Sequence, residues 1–179
     1  MHRIDIADFE NQFDFMPKEY TISISQAAAV CLEEVGHSTG IDFVLTGLSN
    51  ETCTIHWFQI NEGMKRPWQD LEYATEHGAY AIAWHLIEYI TNYKVFERSP
   101  KGGGFDFWIR DPDDEIDELN FLKNCGRMEV SGILNNAAAV KARVTQKTKQ
   151  VRKGSPAETS RYVIVVEFGT PISHCESIK

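Results

Sequence analysis

The residues best suited to chemistry are three acids in the second half of the chain. Glu76 continues the apolar stripe of a long helical pattern, where a carboxylate is costly unless it is paired, metal-bound or able to reach water at the helix end. Asp106 stands between two aromatic residues in a strand-like run, although Asp is depleted in strands unless it faces solvent. Glu129 and Ser131 fall on one face of a third run, because strand side chains alternate with a period of two.

Asp106 and Glu129 can meet if their strands are neighbours, because paired strands lie about 4.8 Å apart. We expect their carboxylates within about 4–6 Å of each other, with Glu76 approaching from the helix. Converging carboxylates are the hard oxygen ligands that Mg²⁺ or Mn²⁺ prefers, and such a cation activates water and polarises a phosphoryl oxygen. The three acids therefore predict a site for Mg²⁺ or Mn²⁺ that acts on a phosphoester.

The elements that must position these acids follow the order helix, strand, strand, strand, helix, strand. Apolar residues spaced three and four apart predict a helix over residues 68–93, and a second helix is expected from Asn135 or Asn136 to about residue 153. Strand patterns cover 94–98, 105–110 and 127–134, and a near-continuous apolar run at 161–168 predicts a strand covered on both faces that ends the folded part. This order predicts an α/β fold with a mixed sheet.

A small α+β extension over residues 1–66 is predicted to precede this core, which takes residues 67–179. The extension begins with an acidic lead-in and continues with a short helix over residues 26–35, capped by Ser25. Strand patterns at 41–48 and 52–58 predict a hairpin, and residues 63–67 are expected to form a linker. The acidic and aromatic character of this extension suits a protein partner or a homodimer contact.

Three short strings carry a resemblance to a known family. They are EHGA from Glu76, GFDFWI around Asp106 and RMEVS around Glu129. Together with the order of elements over residues 68–168, they resemble the PD-(D/E)XK nuclease superfamily, which includes Holliday-junction resolvases and many restriction endonucleases. The resemblance implies a restriction-endonuclease-like αβββαβ core. It also implies metal ligation by Asp106, Glu129 and the carbonyl of Val130, with Glu76 as an additional acid.

The sequence departs from the family pattern at Ser131, which stands where the family has a lysine. That lysine orients the water or stabilises the pentavalent phosphate, and serine carries no positive charge. Lys141 in the following helix and Lys101 in a glycine-rich loop are candidates to supply the missing cation. The resemblance thus predicts a catalytic set of Glu76, Asp106, Glu129, Ser131 and Lys141.

A basic run interrupts an otherwise acidic chain. The 179 residues carry a net charge of −8, which excludes nonspecific nucleic-acid binding over the whole surface but not over a local patch. Within thirteen residues without an acid lie six positive charges: Lys141, Arg143, Lys147, Lys149, Arg152 and Lys153. A basic helix can follow a phosphate backbone, so Lys101, Arg143, Lys147, Lys149, Arg152 and Lys153 are predicted to contact DNA. The alternative is a solvated helix face with cations near its C-terminus.

Two functions are compatible with these patterns. The first is a metal-dependent DNA endonuclease, and the second is a nuclease-fold subunit that has lost catalysis and binds DNA or a protein. Four scattered cysteines without a CxxC pair predict reduced, mostly buried thiols. No run approaches the roughly 18 apolar residues of a membrane span and the N-terminus does not resemble a signal peptide, which predicts a cytoplasmic protein with no membrane partner.

Overall fold

The computed structural model describes residues 2–8, 15–115, 124–152 and 159–178. Within them, four α-helices are Lys18–Glu34 (α1), Glu62–Lys65 (α2), Leu71–Thr91 (α3) and Val140–Arg152 (α4). Eight strands are Arg3–Asp5 (β1), Ile41–Gly47 (β2), Glu51–His56 (β3), Lys94–Arg98 (β4), Phe107–Arg110 (β5), Gly126–Ile133 (β6), Arg161–Glu167 (β7) and Ile172–Ile178 (β8). Short 3-10 turns at Arg66–Trp68 and Ala137–Ala139 precede α3 and α4.

All eight strands form one mixed sheet in the order β1-β3-β2-β8-β7-β6-β5-β4. The neighbours β4 and β5, and then β5 and β6, are antiparallel, whereas β6 and β7 are parallel and are connected through α4. This confirms the predicted α/β class with a mixed sheet. The predicted extension over residues 1–66 and the predicted core over 67–179 both contribute to this sheet, which is continuous through the parallel pair of β2 and β8.

Helices cover the sheet from both faces. Along β7, Ile164 and Val166 belong to the large core that includes α1 and α3, whereas Val163 and Val165 belong to a smaller core beneath α4. This double burial explains the continuous apolar sequence of the strand. Close packing of α1 on α3 depends on Gly78, because a Cβ there would lie 2.8 Å from the Cα of Ala28.

Several predicted elements need correction. Helix α1 begins at Lys18, so Ser25 lies buried inside the helix and is not its cap. Residues 62–68 form α2 and a 3-10 turn in place of the predicted linker. Strand β5 begins at Phe107, two residues later than predicted. The prediction that the folded part ends at residue 168 was wrong, because β8 follows and pairs with both β2 and β7.

Two further expectations concern the cysteines and the membrane. All four cysteines are free and buried, as the scattered spacing predicted. Among the residues that the structure describes, no helix combines the length and the apolar character that crossing a bilayer requires.

Candidate functional site

A cleft opens where β6 continues beyond its pairing with β5. That pairing ends with Phe107 opposite Met128, whereas β6 extends to Ile133. Helix α3 borders this edge from one face of the sheet and α4 from the other, and the space between them measures about 540 Å³. The lining comprises Leu71, Glu72, Thr75, Glu76, Tyr80, Asp106, Val130, Ser131, Gly132, Ile133, Leu134, Asn135, Asn136, Arg143 and Lys147. Six predicted site residues therefore line one cleft. They come from α3, from the residue before β5, from β6 and from α4: Glu76, Asp106, Val130, Ser131, Arg143 and Lys147.

The carboxylate of Asp106 is fixed against the open part of β6. Asp106 directly precedes β5, and its backbone N–H donates to the Met128 carbonyl at 3.0 Å. Its side-chain Oδ2 accepts the backbone N–H of Val130 at 2.9 Å. Burial raises the pKa of Asp106, while the Val130 hydrogen bond and the charge of Lys147 oppose that rise. Asp106 is thus a preoriented acid whose charged form is poorly solvated.

Glu129 lies next to Asp106 and is more deeply buried, with 1% of its surface exposed. Its Oε1 forms an ion pair with the Lys147 ammonium of α4, and no donor among the described residues reaches its Oε2. Burial raises the pKa of Glu129 from 4.5 to about 7; the Asp106 charge adds to the rise, and Lys147 opposes it. A side-chain hydrogen bond with Asp106 also raises this pKa, so the two predicted metal ligands lie side by side at the edge of β6.

Glu76 reaches the cleft from α3 through a tyrosine. The hydroxyl of Tyr80 donates to Glu76 Oε1 at 2.6 Å and lies 3.5 Å from Asp106 Oδ1. Arg98 donates to the same hydroxyl at 3.4 Å, and its guanidinium carbon lies 5.1 Å from the centre of the Tyr80 ring. Glu76 itself is exposed, so its carboxylate reaches water as well as the Tyr80 hydroxyl. Tyr80 was absent from the predicted site, although its i+4 spacing from Glu76 offered a signal.

Two basic residues of α4 face the carboxylates. Arg143 donates to the Ser131 hydroxyl at 2.8 Å, and Lys147 contacts Glu129. They are four residues apart and adjoin Val144, which is buried, and Thr148, whose hydroxyl is buried, so one face of α4 carries both into the cleft. Spacing alone does not separate them from the rest of the basic run, because Lys149 and Lys153 are also four residues apart.

The remaining predicted cations lie elsewhere. Lys101, Lys141, Lys149 and Arg152 are exposed, and none of them is among the residues that line the cleft. Lys149 borders a separate depression together with Thr145 and Gln146. Lys153 lies outside the described residues. Lys147, which was predicted to contact DNA, therefore lies beside the predicted metal ligands. Lys141, which was predicted to supply a cation there, does not line the cleft.

The donor set of the cleft suits a hard divalent cation in part. In the described segments of the chain, no group of three or more His, Cys, Asp or Glu side chains is arranged to hold a metal ion. Asp106 and Glu129 nevertheless offer two adjacent carboxylates, and Glu129 Oε2 is buried without a donor. Mg²⁺ is commonly held by one or two carboxylates, with waters and substrate phosphate completing its shell. The residues present can therefore supply part of the coordination shell of Mg²⁺ or Mn²⁺, and water and phosphate would supply the rest.

No protein-family model, curated protein or solved structure matches this chain significantly. What the cleft can do must therefore be inferred from its own residues.

Proposed function

We propose that this chain is a metal-dependent endonuclease that hydrolyses phosphodiester bonds of DNA in the cleft between α3 and α4. The observation that carries this proposal is the convergence of Asp106, Glu129 and Lys147 beside the open part of β6. In the same proposal, the elements from α3 to β7 form a restriction-endonuclease-like αβββαβ core. The consecutive order β7-β6-β5-β4 in the sheet and the parallel pair of β6 and β7 support this assignment.

Asp106, Glu129 and the backbone of Val130, with Glu76 as an outer acid, are the residues that would hold Mg²⁺ or Mn²⁺. When bound, such a cation supplies a polarised phosphoryl oxygen and a more acidic water. The Val130 N–H holds the Asp106 carboxylate in place. Glu129 must be deprotonated to serve as a ligand, and because its pKa is raised to about 7, ligand binding is favoured above that pH.

Arg143 and Lys147 supply the positive charge that Ser131 cannot. Hydrolysis adds water to phosphorus and breaks the bond to the leaving oxygen, and positive groups placed beforehand stabilise the charge that develops. Because Arg143 is bonded to the Ser131 side chain, its guanidinium lies next to the position of the family's lysine. Because Lys147 forms an ion pair with Glu129, its ammonium would lie beside a phosphate bound at the metal site that the carboxylates would form.

A cleavage assay tests this function. Purified protein is incubated with plasmid, single-stranded and branched DNA in the presence of Mg²⁺ or Mn²⁺. Cleavage should vanish in Asp106→Asn and Glu129→Gln, and it should fall by about 10²–10³ in Lys147→Ala, the range for loss of one preorganised stabilising group. Lys65→Ala, which changes a lysine outside the cleft, serves as the control.

Three outcomes would contradict this proposal in whole or in part. Absence of cleavage on every DNA form and with every cation would remove the catalytic function. Cleavage that survives in Asp106→Asn would place the activity elsewhere or in a contaminant. A larger loss in Lys141→Ala than in Lys147→Ala would return the catalytic cation to the residue that the sequence pattern favours.

The second candidate is a nuclease-fold subunit without catalysis that binds DNA or a protein. Two observations favour it: serine at position 131, and the ion pair in which Lys147 already neutralises Glu129. It predicts DNA binding without cleavage, weakened by salt and by Arg143→Ala. A protein partner or a homodimer contact through residues 1–66 stays a prediction under either function.

A further inference from the structure

A cluster of aromatic rings lies beside the cleft, in the first turns of α3 and in the 3-10 turn before it. The Trp68 ring stacks against Tyr73 at 5.7 Å, Tyr73 lies 4.0 Å from His77, and His77 lies 5.5 Å from Tyr80. The cluster of Trp68, Tyr73 and His77 is called the aromatic rim below. It meets the cleft through Tyr80, whose hydroxyl contacts Glu76 and Asp106.

The aromatic rim is ordered and accessible at once. Asp70 caps α3 by accepting the backbone N–H groups of Glu72 and Tyr73, at 3.0 and 3.2 Å. His77 Nδ1 is bonded to the Tyr73 carbonyl at 2.9 Å, and Trp68 is buried beneath. Even so, 49% of Tyr73 remains exposed. A large ring held in place by its neighbours and still open to solvent can stack on a ligand with little loss of side-chain entropy.

The two walls of the cleft differ in chemistry. The α4 wall presents Arg143 and Lys147, which attract phosphate, whereas the α3 wall presents Glu72 and Glu76, which repel it. The aromatic rim borders this acidic wall through Tyr80, whose ring contacts His77 and whose hydroxyl donates to Glu76. A nucleic acid in the cleft would therefore direct its phosphates toward α4 and its bases toward α3.

We propose that the aromatic rim stacks an unpaired base, so that the cleft takes single-stranded or branched DNA and not intact duplex. This inference rests on the proposed function for the identity of the ligand. In a duplex the bases are stacked on one another inside the helix, and a base must leave the stack before an aromatic side chain can hold it. A strand with unpaired nucleotides next to the bound phosphate can contact both walls of the cleft without the cost of unstacking a base pair.

The test measures binding of full-length Glu129→Gln protein in Ca²⁺, conditions chosen so that cleavage does not consume the probe. A fluorescent 20-nucleotide single strand and the corresponding blunt duplex are titrated by anisotropy. The single strand should bind more tightly. Adding Tyr73→Ala should weaken single-strand binding by about five- to a hundredfold, the range for stacking of one base, and should leave duplex binding and the salt slope unchanged because no phosphate contact is lost.

Two further variants separate stacking from folding. Tyr73→Phe keeps the ring and should bind the single strand like the parent protein. Tyr89→Ala removes another exposed tyrosine of α3, one that stacks on His2 and donates to Glu51 and has no ring contact with the aromatic rim, and should also have no effect. Equal binding of single strand and duplex by the parent, or unchanged single-strand binding in Tyr73→Ala, would overturn the inference.

These results are distinguishable from failure of the proposed function. Suppose that single-strand binding depends on Tyr73 but the wild-type protein cleaves no DNA in any metal. Base stacking by the aromatic rim is then supported, and the endonuclease function is contradicted. If the wild type and Tyr73→Ala cleave blunt duplex equally fast, base stacking by the aromatic rim is contradicted and the endonuclease function is supported.

Discussion

Replacing Glu129 by glutamine addresses the energetic cost of the buried carboxylate in the cleft. Glu129 is almost completely buried, and its Oε2 meets no donor among the described residues. Its pKa is raised from 4.5 to about 7, mainly by burial and then by the Asp106 charge. At 1.36 kcal/mol per pKa unit, ionised Glu129 lowers the free energy of unfolding by up to about 3 kcal/mol relative to the neutral acid.

The sign of the pH dependence follows from this raised pKa. Between pH 4.5 and 7 the folded protein keeps a proton on Glu129 that the unfolded chain has released. The free energy of unfolding therefore falls as the pH rises through this window, and the contribution of Glu129 is constant above it. Glutamine cannot ionise, so Glu129→Gln should match the wild type near pH 4.5 and exceed its stability by up to about 3 kcal/mol at pH 8.

Chemical denaturation in EDTA at a series of pH values, followed by intrinsic fluorescence, measures this difference. Glu72→Gln changes an exposed carboxylate of the same cleft and should keep the pH dependence of the wild type. Adding Mg²⁺ at pH 8 should raise the midpoint of the wild type and not that of Glu129→Gln, because the ion binds only the folded, ionised site. Parallel pH profiles for Glu129→Gln and the wild type would refute the reasoning.

Two stability predictions concern the elements that shape the cleft. Gly132→Ala should lower the free energy of unfolding by about 1–3 kcal/mol in denaturant titration. The added Cβ would lie 2.2 Å from the Thr75 carbonyl oxygen and push α3 away from β6. Unchanged stability would contradict this, because it would show that α3 can move at no cost. Glu167→Ala should cost about 3 kcal/mol, because the buried carboxylate accepts three backbone N–H groups, those of Asn136, Gly169 and Thr170. Glu167→Gln retains an acceptor and should cost less, and equal losses in both variants would contradict the hydrogen-bond account.

The local pattern of apolar residues was sufficient to locate the helix and the strand in which that pattern is strongest. The spacing of apolar residues located α3 to within three residues at each end, and the continuous apolar run located β7. By contrast, β8 has the sequence ISHCESI, and its polar residues resemble a tail. In the sheet it lies between β7, with which it forms a hairpin, and β2, which is more than a hundred residues earlier in the chain. Pairing over such a separation leaves no local signal in the sequence.

Residue type located the acids of the cleft but not their partners. Asp106 and Glu129 attracted attention because carboxylates are unusual within apolar strand patterns. Lys147 could not be distinguished from its basic neighbours by composition, because the packing of α4 on β6 decides which cation faces inward. Tyr80 resembles an ordinary core aromatic until its hydroxyl is placed between Glu76 and Asp106.

The packing of α4 also accounts for the serine at position 131. Arg143 lies 2.8 Å from the Ser131 hydroxyl, and Lys147 occupies the adjacent turn of the same helix face. A lysine at position 131 would place a third cation beside these two, in a largely buried environment where like charges repel strongly. A small neutral residue that accepts a hydrogen bond is the choice compatible with Arg143. The positive charge next to the carboxylates thus comes from α4, through Lys147 and Arg143.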